Sequence, residues 1–294
     1  MSSETIVLII GTVAIALVAA VSIEPFVRES FWDWHIIHGT KNHTIVYTMR
    51  DCDGTPVRVL RSGGALQSAT YLDENRMKPP FKYFRVFGDV LALLPWMKRL
   101  LVLGGGGCTL PKLVADRWPS TRQVVVEVDP AIAQAASTWF FLDEAQEKAK
   151  AAGGSIEVIC EDGRSVLDQA TAASESFDAI VLDAFSGSEP VLSLATLEAV
   201  REAHELLGHS GVLLANIVDQ EGMTELLRAL TSAMVDTFTG VWLLPCEDEN
   251  FEGAHNVIAV ASDTFLDLPE AVPFGPELLG AVLLDESLAD DKAA

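Results

Sequence analysis

The stretch LVLGGGGCTLPKLV, residues 101–114, decides the fold. Three aliphatic residues run into four consecutive glycines, and apolar residues then return at helical spacing. A strand that stops at a glycine turn and feeds a helix is the opening unit of a parallel α/β sheet. With no side chains at Gly104, Gly105, Gly106 and Gly107, backbone amides can approach a ligand closely at a helix N-terminus.

Outward from this unit the rhythm repeats. Strands are expected at 100–103, 123–128, 156–160, 179–182 and 211–217, with helical patterns at 110–118, 131–141, 193–207 and 221–235. Strand alternating with helix predicts an α/β fold, doubly wound, with a mostly parallel sheet. Two late strands, 240–244 and 256–261, are expected to pair antiparallel at the sheet edge. Upstream, 44–50 and 56–60 alternate around Asp53-Gly54, a hairpin signal, and Gly63-Gly64 turns the chain into a short strand at 66–71. A small N-terminal antiparallel β-domain (43–80) thus precedes the main domain (81–262), which opens with a helical pattern after Pro79-Pro80. Residues 263–294 form a Pro-bearing, acidic C-terminal extension.

The 294 residues carry a formal charge of −22. That argues against nucleic acid as a partner, since a phosphate backbone demands clustered Lys and Arg. Cys52, Cys108, Cys160 and Cys246 are scattered without metal-site or disulfide-framework spacing and are expected as reduced thiols. His35 and His38, three apart, could share a helix face, but no further ligand joins them, so no metal is expected. The uncharged run IVLIIGTVAIALVAAVSI, residues 6–23, is long enough to cross a bilayer as a helix. Arg28 and Lys41 follow it and no basic residue precedes it, so 1–23 is expected as a membrane anchor with a cytoplasmic body, joined by a juxtamembrane segment at 24–42.

In an open parallel sheet, ligands bind at the carboxyl ends of the strands where strand order reverses. Here each of four strands ends in a residue suited to a nucleoside. The first ends in Gly104–Gly107; the second in Glu127, whose carboxylate can accept from both hydroxyls of a ribose. The third is followed by Asp162-Gly163, where a carboxylate can accept from the amine of adenine, and the fourth ends at Asp183, facing the reacting group. A dinucleotide fingerprint is not met, because the last glycine of G-x-G-x-x-G would fall on Thr109 or Leu110. No Gly-Lys-Ser/Thr follows, so a P-loop is excluded as well.

Together with VVVEVDPAIAQAA (124–136), CEDGRSVL (160–167), FDAIVLDAFSG (177–187) and the preceding GALQSATYLDE (64–74), the opening motif resembles the polyamine aminopropyltransferase family, typified by spermidine synthase. The likeness covers about residues 43 to 262 and is nearest to a bacterial, membrane-attached branch. It implies a seven-stranded methyltransferase-like sheet that takes decarboxylated S-adenosylmethionine as co-substrate, with Glu127 on its ribose and Asp162 on its adenine. It also implies a polyamine acceptor such as putrescine, with homodimerisation common among members. Asp183 is then the base that deprotonates the attacking amine, Gln67 and Tyr83 line the acceptor's channel, and Glu189 or another acidic residue binds the far ammonium.

Two positions depart from the family pattern. Where its glycine loop carries an Asp for the aminopropyl end, this chain has Gly107; where its active-site loop carries a second Asp, this chain has Ser186. The first departure keeps methyl transfer from intact S-adenosylmethionine open. Loss of both acids keeps open a membrane-anchored module that binds a nucleoside or polyamine without turnover.

Overall fold

The computed structural model describes residues 33–186, 189–218, 224–249, 251, 255–273 and 275–291. Its elements run β1 (His35–Ile37), β2 (Thr44–Arg50), β3 (Pro56–Ser62), β4 (Ala65–Tyr71), α1 (Lys82–Leu91), β5 (Arg99–Leu103), α2 (Thr109–Arg117), β6 (Arg122–Val126), α3 (Pro130–Trp139), α4 (Leu142–Ala151), β7 (Ser155–Ile159), α5 (Gly163–Ala172) and β8 (Phe177–Leu182). They continue with β9 (Phe185–Ser186), β10 (Glu189–Pro190), α6 (Leu197–Leu206), β11 (Leu207–Val218), α7 (Thr224–Thr237), β12 (Gly240–Glu247), β13 (His255–Ser262) and α8 (Asp285–Asp291).

Strands β1 to β4 form an antiparallel sheet in sequence order. The Asp53-Gly54 turn closes as expected: Oδ1 of Asp51 accepts from the amides of Asp53 and Thr55 (3.1 and 2.8 Å), a local bond that competes with continued strand. β1 falls within the stretch assigned to a juxtamembrane segment and extends the sheet. His35 lies in this strand, not on a helix, and stacks on Trp139 with ring centroids 3.9 Å apart.

The main sheet has seven strands in the order β12-β13-β11-β8-β5-β6-β7. β5, β6, β7, β8 and β11 run parallel, and β13 runs antiparallel to both its neighbours. The late strands do pair, but β13 inserts between β11 and β12, so of these two β12 alone lies at the edge of the sheet. The chain winds from β5 outward to β6 and β7, then returns to β8 on the other side of β5. That reversal creates the crevice at the carboxyl ends of β5 and β8.

Because successive strand residues face opposite sides, Leu100 and Val102 pack with α1, α2 and the N-terminal sheet (Val59, Phe87, Leu113). Leu101 and Leu103 pack on the other face with α5, α6 and α7 (Leu167, Val200, Met234). The expected helix at 131–141 ends at Trp139, and Phe141 takes a left-handed φ of 61°. A separate helix α4 begins there. Its Asp143 and Glu144 in the first turn and Lys148 and Lys150 in the last complement the helix dipole.

Lys112 ties α2 to the N-terminal sheet. It is 1 % exposed, and its Nζ donates to Thr70 Oγ1 (2.8 Å) and to the Arg76 carbonyl (3.1 Å). Burial brings its pKa down to about 7.

The membrane-anchored localisation expected from the sequence is corrected here. Among the described residues no helix is long and apolar enough to cross a membrane. The run at 6–23 on which that expectation rested lies outside them.

Candidate active site

A cavity of about 560 Å³ opens at the carboxyl ends of β5, β6, β7, β8 and β11 and the amino end of β13, within the range of small-molecule sites. The N-terminal sheet closes it from above through Gln67 and Ser68 of β4, and Phe81, Tyr83, Phe84 and Phe251 wall one side.

The glycine turn is shaped by close approach. Gly104 has φ +109°, and a Cβ there would lie 2.1 Å from the carbonyl oxygen of Asp183. Only glycine allows β5 and β8 to end so close together. Gly105 and Gly106 line the cavity beside it. Gly107 does not. Its N–H donates to Ser68 Oγ (2.8 Å), and a Cβ would meet Ser68 Cβ at 2.8 Å and Phe140 Cδ1 at 3.0 Å. The place where the resembling family carries an acid is thus packed shut by a serine and an aromatic ring.

Glu127 stands at the end of β6, 8 % exposed. Its Oε2 accepts from the Gly106 amide (2.7 Å) and its Oε1 from the Asp129 amide (3.0 Å). Burial raises its pKa and these backbone donors oppose the rise. Each carboxylate oxygen retains lone-pair capacity for a further donor. Asp162 caps α5, accepting from the Ser165 amide (3.1 Å), and Asp162 and Gly163 both line the cavity. Of the residues expected to hold a nucleoside, Gly104, Gly105, Gly106, Glu127, Asp162 and Gly163 all line this one cavity, and Gly107 does not.

Asp183 stands where β8 ends. Oδ1 accepts from Asn216 Nδ2 (2.8 Å), and the Tyr83 hydroxyl donates to Oδ2 at 3.4 Å. Burial pushes its pKa up to about 7, against the pull of these two donors. The Tyr83 phenol is driven well above its ordinary value by burial, then by the charge and hydrogen bond of Asp183. A carboxyl titrating near neutrality in a cleft is suited to general-base work.

Gln67 and Tyr83 line the cavity as expected. Glu189 stands apart: it is exposed on the two-residue strand β10, opposite Ser186, and is absent from the cavity's lining. Ser186 lines the cavity, with Asn42 Nδ2 3.5 Å from its hydroxyl. Sequence reasoning missed Asn216, Asn256 and Asp248, all of which line the cavity. A polar residue near the end of an otherwise apolar strand, as in GVLLANIV, was the available signal for Asn216.

No family model matches the chain. It is 30% identical over 156 residues to the polyamine aminopropyltransferase of Vibrio vulnificus (strain CMCP6), covering 53% of this chain and 50% of that protein. It is 27% identical over 169 residues to the eEF1A lysine and N-terminal methyltransferase of Xenopus laevis, covering 54% of this chain and 24% of that one. The matched stretch thus spans half or less of either relative. Among solved structures, a probable spermidine synthase from Corynebacterium glutamicum superposes with a TM-score of 0.60 at 22% identity, over 76% of this chain and 78% of that one. A spermidine synthase in complex with the transition-state analogue AdoDATO gives 0.58 at 19% identity, over 88% and 85%. The chain is thus similar to an aminopropyltransferase over about half its length, and it shares with spermidine synthases the fold of a seven-stranded methyltransferase-like sheet with a small antiparallel sheet at its N-terminal side.

Proposed function

We propose that this chain is a transferase that moves the aminopropyl group of decarboxylated S-adenosylmethionine to an amine such as putrescine, releasing methylthioadenosine. The observation that carries the reading is Asp183, held near neutrality at the cavity wall beside the glycine turn. Similarity to an aminopropyltransferase at 30% identity supports the choice of group.

The residues fit an adenosyl ligand. Gly105 leaves open the space a Cβ would take against Glu127 Cβ, at 3.0 Å, and Glu127 beside it is set to accept from two ribose hydroxyls. Asp162 sits on the neighbouring strand end, suited to the adenine amine. On the other side, Asp183 takes a proton from the acceptor's ammonium. The freed nitrogen lone pair then attacks the propyl carbon bonded to the sulfonium. A C–N bond forms as the C–S bond breaks, and its electrons stay on sulfur. Closure by the N-terminal sheet and the aromatic wall excludes water and orients the amine, which supplies much of the acceleration because the sulfonium is already a good electrophile.

Methyl transfer from intact S-adenosylmethionine is the second reading. The closed Gly107 position favours it, since no carboxylate from this turn can reach an aminopropyl end. Incubating the full chain with each donor, with and without putrescine, separates the two. Methylthioadenosine from the decarboxylated donor is the expected product. S-adenosylhomocysteine from the intact donor moves the assignment to methyl transfer, and neither product leaves only nucleoside binding.

A further inference from the structure

The sheet register sets three polar side chains in a row. Ala215 of β11 pairs with Leu182 of β8, so Asn216 comes alongside Asp183 one residue on. Val218 pairs with Asn256 of β13, which makes Asn256 the diagonal neighbour of Asn216 on the same face. Asn256 is 8 % exposed, and its Nδ2 donates to Asn216 Oδ1 at 2.8 Å. We propose that Asn216, held by Asn256, is the positioning residue for Asp183, committing Oδ1 of that carboxylate to the protein and leaving Oδ2 to the substrate amine.

An amide has one oxygen and one NH₂. With its oxygen taken by Asn256, Asn216 must turn its NH₂ toward Asp183, where it lies 2.8 Å from Oδ1. A flipped amide would set oxygen against oxygen at one contact and nitrogen against nitrogen at the other. Among the described residues, Oδ2 meets only the longer 3.4 Å approach of the Tyr83 hydroxyl, beyond the usual O–H···O range. An arriving ammonium can displace that contact far more readily than the one to Asn216.

Among the described residues, the groups facing Asp183 are few. Tyr83 comes from α1, the uncharged Gly104 backbone from the glycine turn, and Asn216 from β11. Asp248 and Cys246, at the end of β12, act on the Tyr83 phenol. Asn216 is therefore the strongest group opposing the rise that burial causes, and removing its donor should let the Asp183 pKa climb further.

The test is a carboxyl ¹³C NMR titration of the full chain, with the Asp183 signal assigned by its loss in Asp183→Asn. In Asn216→Leu the Asp183 midpoint should rise by roughly one pH unit, the scale of one hydrogen bond to a charged group. In Asn256→Leu, which removes nothing that touches Asp183, it should rise by less, because the Asn216 amide can then flip. If Asn216→Leu does not fold, Asn256→Leu decides alone. An unmoved midpoint in a folded Asn256→Leu protein overturns the proposal. The identity of the amine rests on the transferase reading, but this midpoint does not. A shifted midpoint without turnover on any amine would count against the reaction and not against the positioning. Where turnover is measured, the acidic limb of the rate profile should move up with the midpoint.

Discussion

At the ends of β5, β6 and β7 the cavity is made largely of backbone. Amides of Gly106 and Asp129 hold Glu127, and the Ser165 amide holds Asp162. At the ends of β8, β11 and β13 it is made of side chains, with Asn216 holding Asp183, Tyr83 approaching it at 3.4 Å, and Asn256 holding Asn216. Backbone donors are fixed by the fold and hold a carboxylate charged at little reorganisation. Side-chain donors can be exchanged, and they set a pKa finely. The contrast suits a half that binds one constant group and a half that performs proton chemistry on a variable one.

The sharpest way to break this contrast is Asp183→Asn. Transfer should fall by about 10²-fold to 10⁴-fold, the usual share of a positioned base, while donor affinity by calorimetry stays nearly unchanged. A matching loss of donor affinity would mean that the two halves are not separable. The same variant has a stability signature. Asp183 has a folded pKa of about 7, above the ordinary aspartate value. Its favourable contribution is present below the unfolded value and is lost as pH rises through about 7. Asp183→Asn should therefore melt higher than the parent at pH 8, with the gap closing toward pH 4.

Glu127→Ala tests the other half. Loss of its contacts should weaken adenosyl binding by about 10-fold to 100-fold, the scale of hydrogen bonds to a charged group. The effect should be alike for intact and decarboxylated donors, whichever group is transferred. Gly107→Asp sharpens the comparison further. If the packing by Ser68 and Phe140 is decisive, restoring the family's acid should lower the melting temperature and should not improve use of the decarboxylated donor. Improved turnover would show that the wall can yield.

The smallest effect lies outside both halves, at Lys112. Its folded pKa is depressed from 10.5 to about 7, so its stabilisation is present above the unfolded value and is lost as pH falls toward 7. Lys112→Met should flatten the dependence of melting temperature on pH between about 10 and 7.

Local pattern was enough to read the strand–turn–helix rhythm, the hairpin at Asp53-Gly54, the four glycines and the acids at 127, 162 and 183. Each of those follows from a period of two or 3.6 residues, or from a residue type placed at a strand's end. Helix α4 was not among the helices expected from the sequence, although the charges of LDEAQEKAKA run acid to base; its start depends on the left-handed turn at Phe141.

Other features belong to the tertiary structure alone. β13 inserts between β11 and β12 because neighbours in an antiparallel sheet are chosen by packing and not by order along the chain. That insertion carries Asn256 to Asn216, 40 residues away in sequence, and so reaches Asp183. The closure of Gly107 by Ser68 and Phe140, and the exclusion of Glu189 from the cavity, likewise depend on elements that meet only after folding. The sequence by itself settled which strands end in which chemical groups, since that is written locally. Which of those groups touch was decided by strand order and sheet docking, since contacts across a sheet carry no local signature in the chain.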